Sequence, residues 1–264
     1  MARRKFHDRR VLITGASSGI GRALAIALAG AGAKLVLNAR RHDRLQAVAG
    51  EVRAAGGQVV LSAGDVTVAS DRAAALAAAE QHFGGLDILV NNAGVSAWGR
   101  FDEATPERLR QIMEVNLFAL AEMTRAALPL LARGREPLVV NIASILGHRG
   151  IPLQSEYCAS KFAVRGLSEA LRAELAKQRI DVLVVSPGST ESEFFDHLLE
   201  KTGEMPWPAQ PKTPAAVVAR QIVRAIERGS HEIVTNRRGK LLVWLNRVAP
   251  RLVDRWMERY GSLR

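Results

Sequence analysis

Six short apolar runs set the strongest limit on how this chain folds. They read RVLITG, KLVLNA, QVVLSA, LDILVNN, PLVVNIAS and IDVLVVSPG, with HEIVTN a seventh of the same kind. Each is short for a globular helix and apolar at successive positions, as a strand buried on both faces must be. Between them lie longer stretches with apolar residues three and four apart. IGRALAIALAGAG and RLQAVAGEVRAAGG end at glycine, a usual helix stop. TPERLRQIMEVNLFALAEMTRAALPLLA opens on a Thr-Pro start signal, and its Pro129 predicts a kink or an approaching end. Buried strands alternating with helices predict an α/β fold, a parallel sheet covered on both faces.

No Gly/Ser/Pro linker and no internal repeat divides the 264 residues. Residues 1–236 therefore read as one domain of about seven strands, and residues 237–264 as a helical extension. The stretch ESEFFDHLLEKTGEMPWPAQPKT, residues 191–213, breaks the alternation with Pro206, Pro208 and Pro211. It carries Phe194, Phe195, Leu198, Leu199, Met205 and Trp207. Such a segment is expected to be a lid over a nonpolar pocket, or else an edge closure or a subunit contact.

The formal net charge of +11 sits at the two ends. Arg3, Arg4, Lys5, Arg9 and Arg10 face only Asp8 among the first ten residues, a net of +4. Residues 237–264 hold eight basic residues against Asp254 and Glu258, a net of +6. Nucleic-acid binding is not expected, because the charge lies in tails without a basic-aromatic platform. In KLLVWLNRVAPRLVDRWMERY, Leu241, Leu245, Val248, Leu252, Trp256 and Tyr260 recur at helical spacing, and Pro250 is expected to split the segment. Three readings stay open for it: packing on its own domain or a partner subunit, an anionic membrane surface, or another acidic partner. The single cysteine, Cys158, excludes an internal disulfide and fits a reduced, cytoplasmic compartment. It reads as a packing residue. The six histidines show no ligand spacing, so no metal site is expected, although His148 follows Ser144 closely enough to line a substrate mouth. No run of 18 apolar residues predicts a membrane span, and the first apolar run breaks at Gly15, too early for a signal peptide.

The chemistry starts in VLITGASSGIGRALA, a strand, a glycine turn and a helix. Gly15, Gly19 and Gly21 let the chain turn tightly and let a phosphate approach the main chain, at a helix N-terminus that offers unpaired N–H groups. The next strand ends in Ala39, Arg40 and Arg41, where a carboxylate holding an unphosphorylated ribose is usual. A guanidinium there suits a 2′-phosphate, so NADP(H) is preferred, with NAD(H) left open. Downstream, Tyr157 and Lys161 stand four apart on one helix face, and Ser144 ends a strand. An ammonium beside a phenol lowers its pKa and makes it a usable general acid or base.

Taken in order, Gly15-x-x-x-Gly19-x-Gly21, Asp65, Asn92-Ala93-Gly94, Asn116, Ser144, Tyr157-x-x-x-Lys161 and Pro187-Gly188 resemble the short-chain dehydrogenase/reductase family over residues 9 to 235. The resemblance implies a single Rossmann-type, doubly wound domain that moves hydride between nicotinamide and a carbonyl or alcohol. It implies Tyr157 as proton donor and acceptor, Ser144 as the residue orienting the substrate oxygen, and Lys161 as the tuner of Tyr157 and a ribose ligand. It implies Asn116 as the residue that bends its helix and supports a water leading to the lysine. Cofactor contacts would come from Gly15, Ser17, Ser18, Gly19, Ile20, Gly21, Arg40, Asp65, Val66, Asn92, Ala93, Gly94, Pro187 and Gly188. Asn92 would be mainly structural. Where the family often has threonine five residues after the proline, this chain has Ser192, with Thr190 two residues earlier. Homodimers or homotetramers are the implied assemblies. A catalytically silent nucleotide sensor or scaffold on the same fold is the competing expectation.

Overall fold

The structure is a computed structural model that describes residues 4–195, 197–202 and 211–261. The six apolar runs form β1 (Arg10–Thr14), β2 (Lys34–Ala39), β3 (Gln58–Ala63), β4 (Ile88–Asn91), β5 (Leu138–Ile142) and β6 (Asp181–Ser186). Two short strands, β7 (Thr190–Glu191) and β8 (Thr213–Pro214), pair only with each other, and β9 (Glu232–Val234) joins the main sheet. That sheet has seven strands in the order β3-β2-β1-β4-β5-β6-β9, and every pairing is parallel.

The helices are α1 (Gly19–Ala29), α2 (His42–Ala54), α3 (Ala69–Phe83), α4 (Pro106–Met113), α5 (Ala119–Ala132), α6 (Ser155–Glu174), α7 (Ala215–Glu227), α8 (Arg237–Val248) and α9 (Pro250–Gly261). Strand alternation sorts the core. Val11, Ile13, Leu35 and Leu37 pack with buried residues of α1, α2 and α7 on one face. Leu12, Val36, Leu89 and Val139 pack with α3 and α5 on the other. The sheet is thus a doubly wound Rossmann-type sheet, and its strand order reverses between β1 and β4. The crevice beyond the carboxyl ends of those strands is where such sheets bind ligands.

One long helical path leads from α4 to α5. Thr105 caps it by accepting a hydrogen bond from the Arg108 N–H, with Pro106 in the first turn. Between the two helices, Glu114–Phe118 form a π-turn with Asn116 inside it, so the break expected at Asn116 is there. Pro129 marks an approaching end, since α5 stops at Ala132. The 27 residues Pro106–Ala132 pass for a membrane crossing on length and composition. Ile112, Leu120, Met123, Ala127 and Leu131 nevertheless sit buried in the domain.

The extension divides at Pro250, as its sequence predicts, and packs one side on the domain. The Asn236 side chain accepts from the Gly239 N–H at 2.7 Å and starts α8. A Cβ on Gly239 would lie 2.8 Å from Ile145 Cγ2, so only glycine brings α8 this close to the loop after β5. In that loop Arg149 reaches Asp254 at 2.7 Å and Asn246 Oδ1 at 3.1 Å, and Asn246 donates back to the His148 carbonyl. Arg3, Met205, Pro206, Trp207, Pro208 and Arg264 lie outside the described residues.

Candidate functional site

The loop between β1 and α1 is held in shape by what glycine permits. Gly15 has φ +62° and Gly19 φ +54°, left-handed values that disfavour any Cβ. A Cβ at Gly15 would also come within 2.8 Å of Ala93 Cα, and one at Gly21 within 2.5 Å of the Gly15 carbonyl. Asn92 fixes the turn from the neighbouring strand, donating from Nδ2 to the Thr14 and Gly15 carbonyls at 3.0 Å each. The Thr14 hydroxyl accepts from the Asn92 and Ala93 N–H groups. Beyond the loop, the first N–H groups of α1 have no partner within the helix. This is a cradle that any Cβ would fill, and it fits a dinucleotide pyrophosphate.

The cradle opens into a cleft of about 830 Å³. Gly15, Ser17, Ser18, Gly19, Ile20, Arg40, Asp65, Val66, Asn92, Ala93 and Gly94 line it. Ser144, Tyr157, Lys161, Pro187, Gly188, Thr190 and Ser192 line it too. Of the expected site residues, only Gly21 and Asn116 lie behind the wall. Asn116 spends its side chain on structure: Oδ1 accepts from the Val95 N–H at 2.8 Å, while Nδ2 donates to the Val95 carbonyl and to Ser160 Oγ, both at 2.9 Å. It thereby ties the segment after β4 to α6.

The catalytic candidates sit at strand and helix ends. Ser144 follows β5 in extended conformation and its hydroxyl accepts from the Leu146 N–H. Tyr157 and Lys161 lie on the first turns of α6, both buried. Burial pushes the Tyr157 phenol above its ordinary pKa, and a hydrogen bond with Ser144 pulls in the opposite direction. Burial lowers Lys161 to about 8. Its ammonium donates to the Ile142 carbonyl at 2.9 Å and lies 5.7 Å from the centre of the Tyr157 ring. In this geometry burial, rather than the lysine, sets the tyrosine: desolvation is the largest influence on both groups.

Just past the end of β2, Arg40 has a 70% exposed side chain, 3.8 Å from Asp65. Arg41 is occupied, with Glu193 at 3.4 Å, and Arg44 reaches the same carboxylate at 2.9 Å. The segment after β7 is therefore strapped to the start of α2. It is tied again further along: Leu199 N–H donates to the Ser96 carbonyl, Trp98 N–H to the Glu200 carbonyl, and Thr202 N–H to the Trp98 carbonyl. Between these ties Phe194 lies over Tyr157, with ring centres 5.8 Å apart.

Some residues differ from expectation or were not foreseen. His148 does not line the cleft: its ring faces Ser186 Oγ at 3.0 Å and Glu232 at 3.4 Å, because the short turn after Ser144 carries it behind the strand end. Thr190 bends back to the Gly188 carbonyl at 2.9 Å, while Ser192 packs against the glycine loop at Gly19. Cys158 is buried and burial raises its thiol to about 11, as suits a packing residue. Trp98, Gln154 and Ile151 line the same cleft without any local sequence signal. The buried Arg108–Glu156 pair at 2.7 Å anchors the start of α6 next to Tyr157.

A family model described as short chain dehydrogenase matches residues 9–203. An uncharacterized oxidoreductase, YxnA, of Bacillus subtilis is 32% identical over 260 residues, covering 97% of this chain and 73% of its own length. A short chain dehydrogenase/reductase from Burkholderia phymatum, in complex with NAD, superposes with a TM-score of 0.85 at 27% identity over 95% of this chain and 96% of that one. A short chain dehydrogenase from Burkholderia cenocepacia, in complex with NADP, gives 0.82 at 27% identity over 96% and 99%. The fold thus accepts either cofactor in these neighbours. With its glycine cradle, parallel sheet and matched sequence, the chain belongs to the short-chain dehydrogenase/reductase family of oxidoreductases.

Proposed function

We propose that the chain is an NADP(H)-dependent carbonyl reductase or alcohol dehydrogenase with a nonpolar substrate and Tyr157 as its general acid/base. The observation that carries this reading is the meeting of Ser144, Tyr157 and Lys161 in the same cleft as the glycine cradle. The loop N–H groups would hold the pyrophosphate, Asp65 and Val66 the adenine, and Lys161 and Tyr157 the nicotinamide ribose. Arg40, only loosely held, would take the 2′-phosphate. Pro187, Gly188, Thr190 and Ser192 would flank the nicotinamide. Bound there, the cofactor supplies or accepts the hydride.

The chain's own residues do the rest. Ser144 and Tyr157 donate hydrogen bonds to the oxygen on which charge develops, and Tyr157 passes it a proton. Lys161, whose ammonium lies 5.7 Å from the centre of the Tyr157 ring, would stabilise the phenolate that remains through the nicotinamide ribose that both would hold. Phe194 and Trp98 keep the substrate side apolar and restrict water. Asn116 acts as a positioning residue from behind the cleft. Cys158, a free buried thiol, suits a reduced compartment such as the cytoplasm.

The test is NADPH oxidation over a panel of apolar aldehydes and ketones. Turnover that falls in Tyr157→Phe while NADPH binding persists supports the reading. Tight NADPH binding with no turnover on any carbonyl would instead favour a silent nucleotide sensor on the same fold.

A further inference from the structure

The tail helices leave a surface that the domain does not use. On α8, Gly239 and Asn246 face the domain, whereas Leu241, Trp244 and Val248, at helical spacing, are 55%, 58% and 57% exposed. On α9, Val253 is buried, and Leu252 and Trp256 are 61% and 48% exposed. Five large apolar side chains, two of them tryptophan, thus stand in water along two successive helices. Large apolar surface of this kind marks a contact site.

Its surroundings say which contact. Arg237, Lys240, Arg247, Arg251, Arg255 and Arg259 are exposed on the same two helices and make no ion pair with another described residue. At about 100° per residue, Arg251, Arg255 and Arg259 form a stripe beside Leu252 and Trp256, and Lys240 and Arg247 flank the apolar stripe of α8. A second copy of this chain would bring the same positive charge against itself. An anionic bilayer offers both complements: acyl chains for the apolar stripe, and headgroup charge for the arginines. Tryptophan, with an apolar body and a polar N–H, suits that boundary.

We propose that α8 and α9 dock the protein on an anionic membrane surface, lying in its plane. The helices sit against the loop after β5, whose Ile145 and Leu146 also line the cleft. Docking would bring the cleft to within a helix diameter or so of the membrane surface, where an apolar carbonyl compound would partition; this last point rests on the function proposed above, the docking itself does not.

The test is co-sedimentation of the full chain with vesicles of phosphatidylcholine alone or mixed with phosphatidylglycerol. Binding is expected to the mixed vesicles only, and to weaken as salt rises. Arg251→Glu with Arg255→Glu should weaken it about tenfold or more. Trp244→Ser with Trp256→Ser should do the same, with Leu241→Ser and Leu252→Ser as a second apolar pair should the tryptophan variant misfold. Each variant should keep its circular dichroism and, where there is turnover, its activity on soluble substrate. No binding by the intact chain to mixed vesicles overturns the proposal. So does binding that none of these variants changes, or a concentration-dependent dimer that the tryptophan variant abolishes in place of lipid binding.

Discussion

Two buried charges stand at opposite ends of the same sheet and are held in opposite ways. Asp87, before β4, is fully buried at the amino end. Its carboxylate accepts from the Arg10 N–H at 3.0 Å, from Arg10 Nε at 3.1 Å and Nη2 at 2.6 Å, and from the Arg135 N–H at 2.7 Å. Lys161, at the carboxyl end, donates to one carbonyl, that of Ile142, and no carboxylate pairs with it among the described residues. Burial opposes ionisation at both sites. At Asp87 the hydrogen bonds from Arg10 and Arg135 outweigh it, and the pKa falls below the ordinary value. At Lys161 nothing outweighs it, and the pKa falls to about 8. A charge that holds the fold is surrounded by partners; a charge left short of them is one that a ligand can complete.

The N-terminal basic residues belong with Asp87. Arg4 pairs with Asp181, Arg9 with Glu136 and Arg10 with Asp87. Their charge is used within the domain, unlike that of Arg247, Arg251, Arg255 and Arg259 on the tail helices.

The largest expected effect is on chemistry at the carboxyl end. Tyr157→Phe should lower kcat/KM for NADPH-dependent reduction roughly 10²–10⁴-fold, the span of a lost general acid, with little change in melting temperature. Equal kcat/KM in the two proteins would remove Tyr157 from the proton transfer.

At the amino end the effect should be on stability alone. Asp87→Asn removes the counter-charge of the Arg10 guanidinium and leaves a buried, mismatched amide, at a cost of about 3 kcal/mol in denaturant unfolding. Asp87 has a folded pKa below its unfolded value of 3.8, so its contribution is present at neutral pH and is lost as pH falls through the folded value. Wild type should therefore lose its advantage over Asp87→Asn in acid. A difference that stays constant from pH 7 down to pH 3 would contradict the pairing.

Lys161 should show the reverse cost. Its folded pKa of about 8 lies below its unfolded value of 10.5, so the unfolded chain binds more protons between them and stability rises with pH across that window. Below pH 8 the buried ammonium costs about 3 kcal/mol. Cys158 and Tyr157, both raised by burial, act with the opposite sign above about pH 9. The quantity to measure is thus the difference between Lys161→Met and wild type. The variant should be the more stable at pH 7, and the gap should close by pH 10.5. A gap independent of pH would mean that the lysine is better solvated than its contacts indicate.

Much of this site was legible in the sequence because its signals are local. The glycine loop, the strand end at Ser144 and the four-residue step from Tyr157 to Lys161 are each carried within a few residues, and a parallel sheet brings all strand ends to one edge. What was not legible depends on distant segments. Phe194 reaches Tyr157 only because Arg41 and Arg44 strap Glu193, and Ser96 and Trp98 hold residues 199–202. His148 misled for the same reason: closeness to Ser144 along the chain did not decide where the ring went, whereas Ser186 and Glu232 did.

The smallest expected effect belongs to a third kind of charge, neither buried nor well paired. Arg40 has little to hold it in place but Asp65 at 3.8 Å, whereas Arg41 is already engaged by Glu193. A 2′-phosphate needs only a free guanidinium within reach, so Arg40 and not Arg41 is expected to read it. Arg40→Ala should raise KM for NADPH roughly tenfold, the worth of one hydrogen bond to a charged group, and leave KM for NADH unchanged. Arg41→Ala should loosen the segment that Glu193 anchors and affect both cofactors alike. If Arg40→Ala shifted NADPH and NADH equally, its charge would serve the loop rather than the phosphate, and the preference for NADP(H) would lose its physical basis.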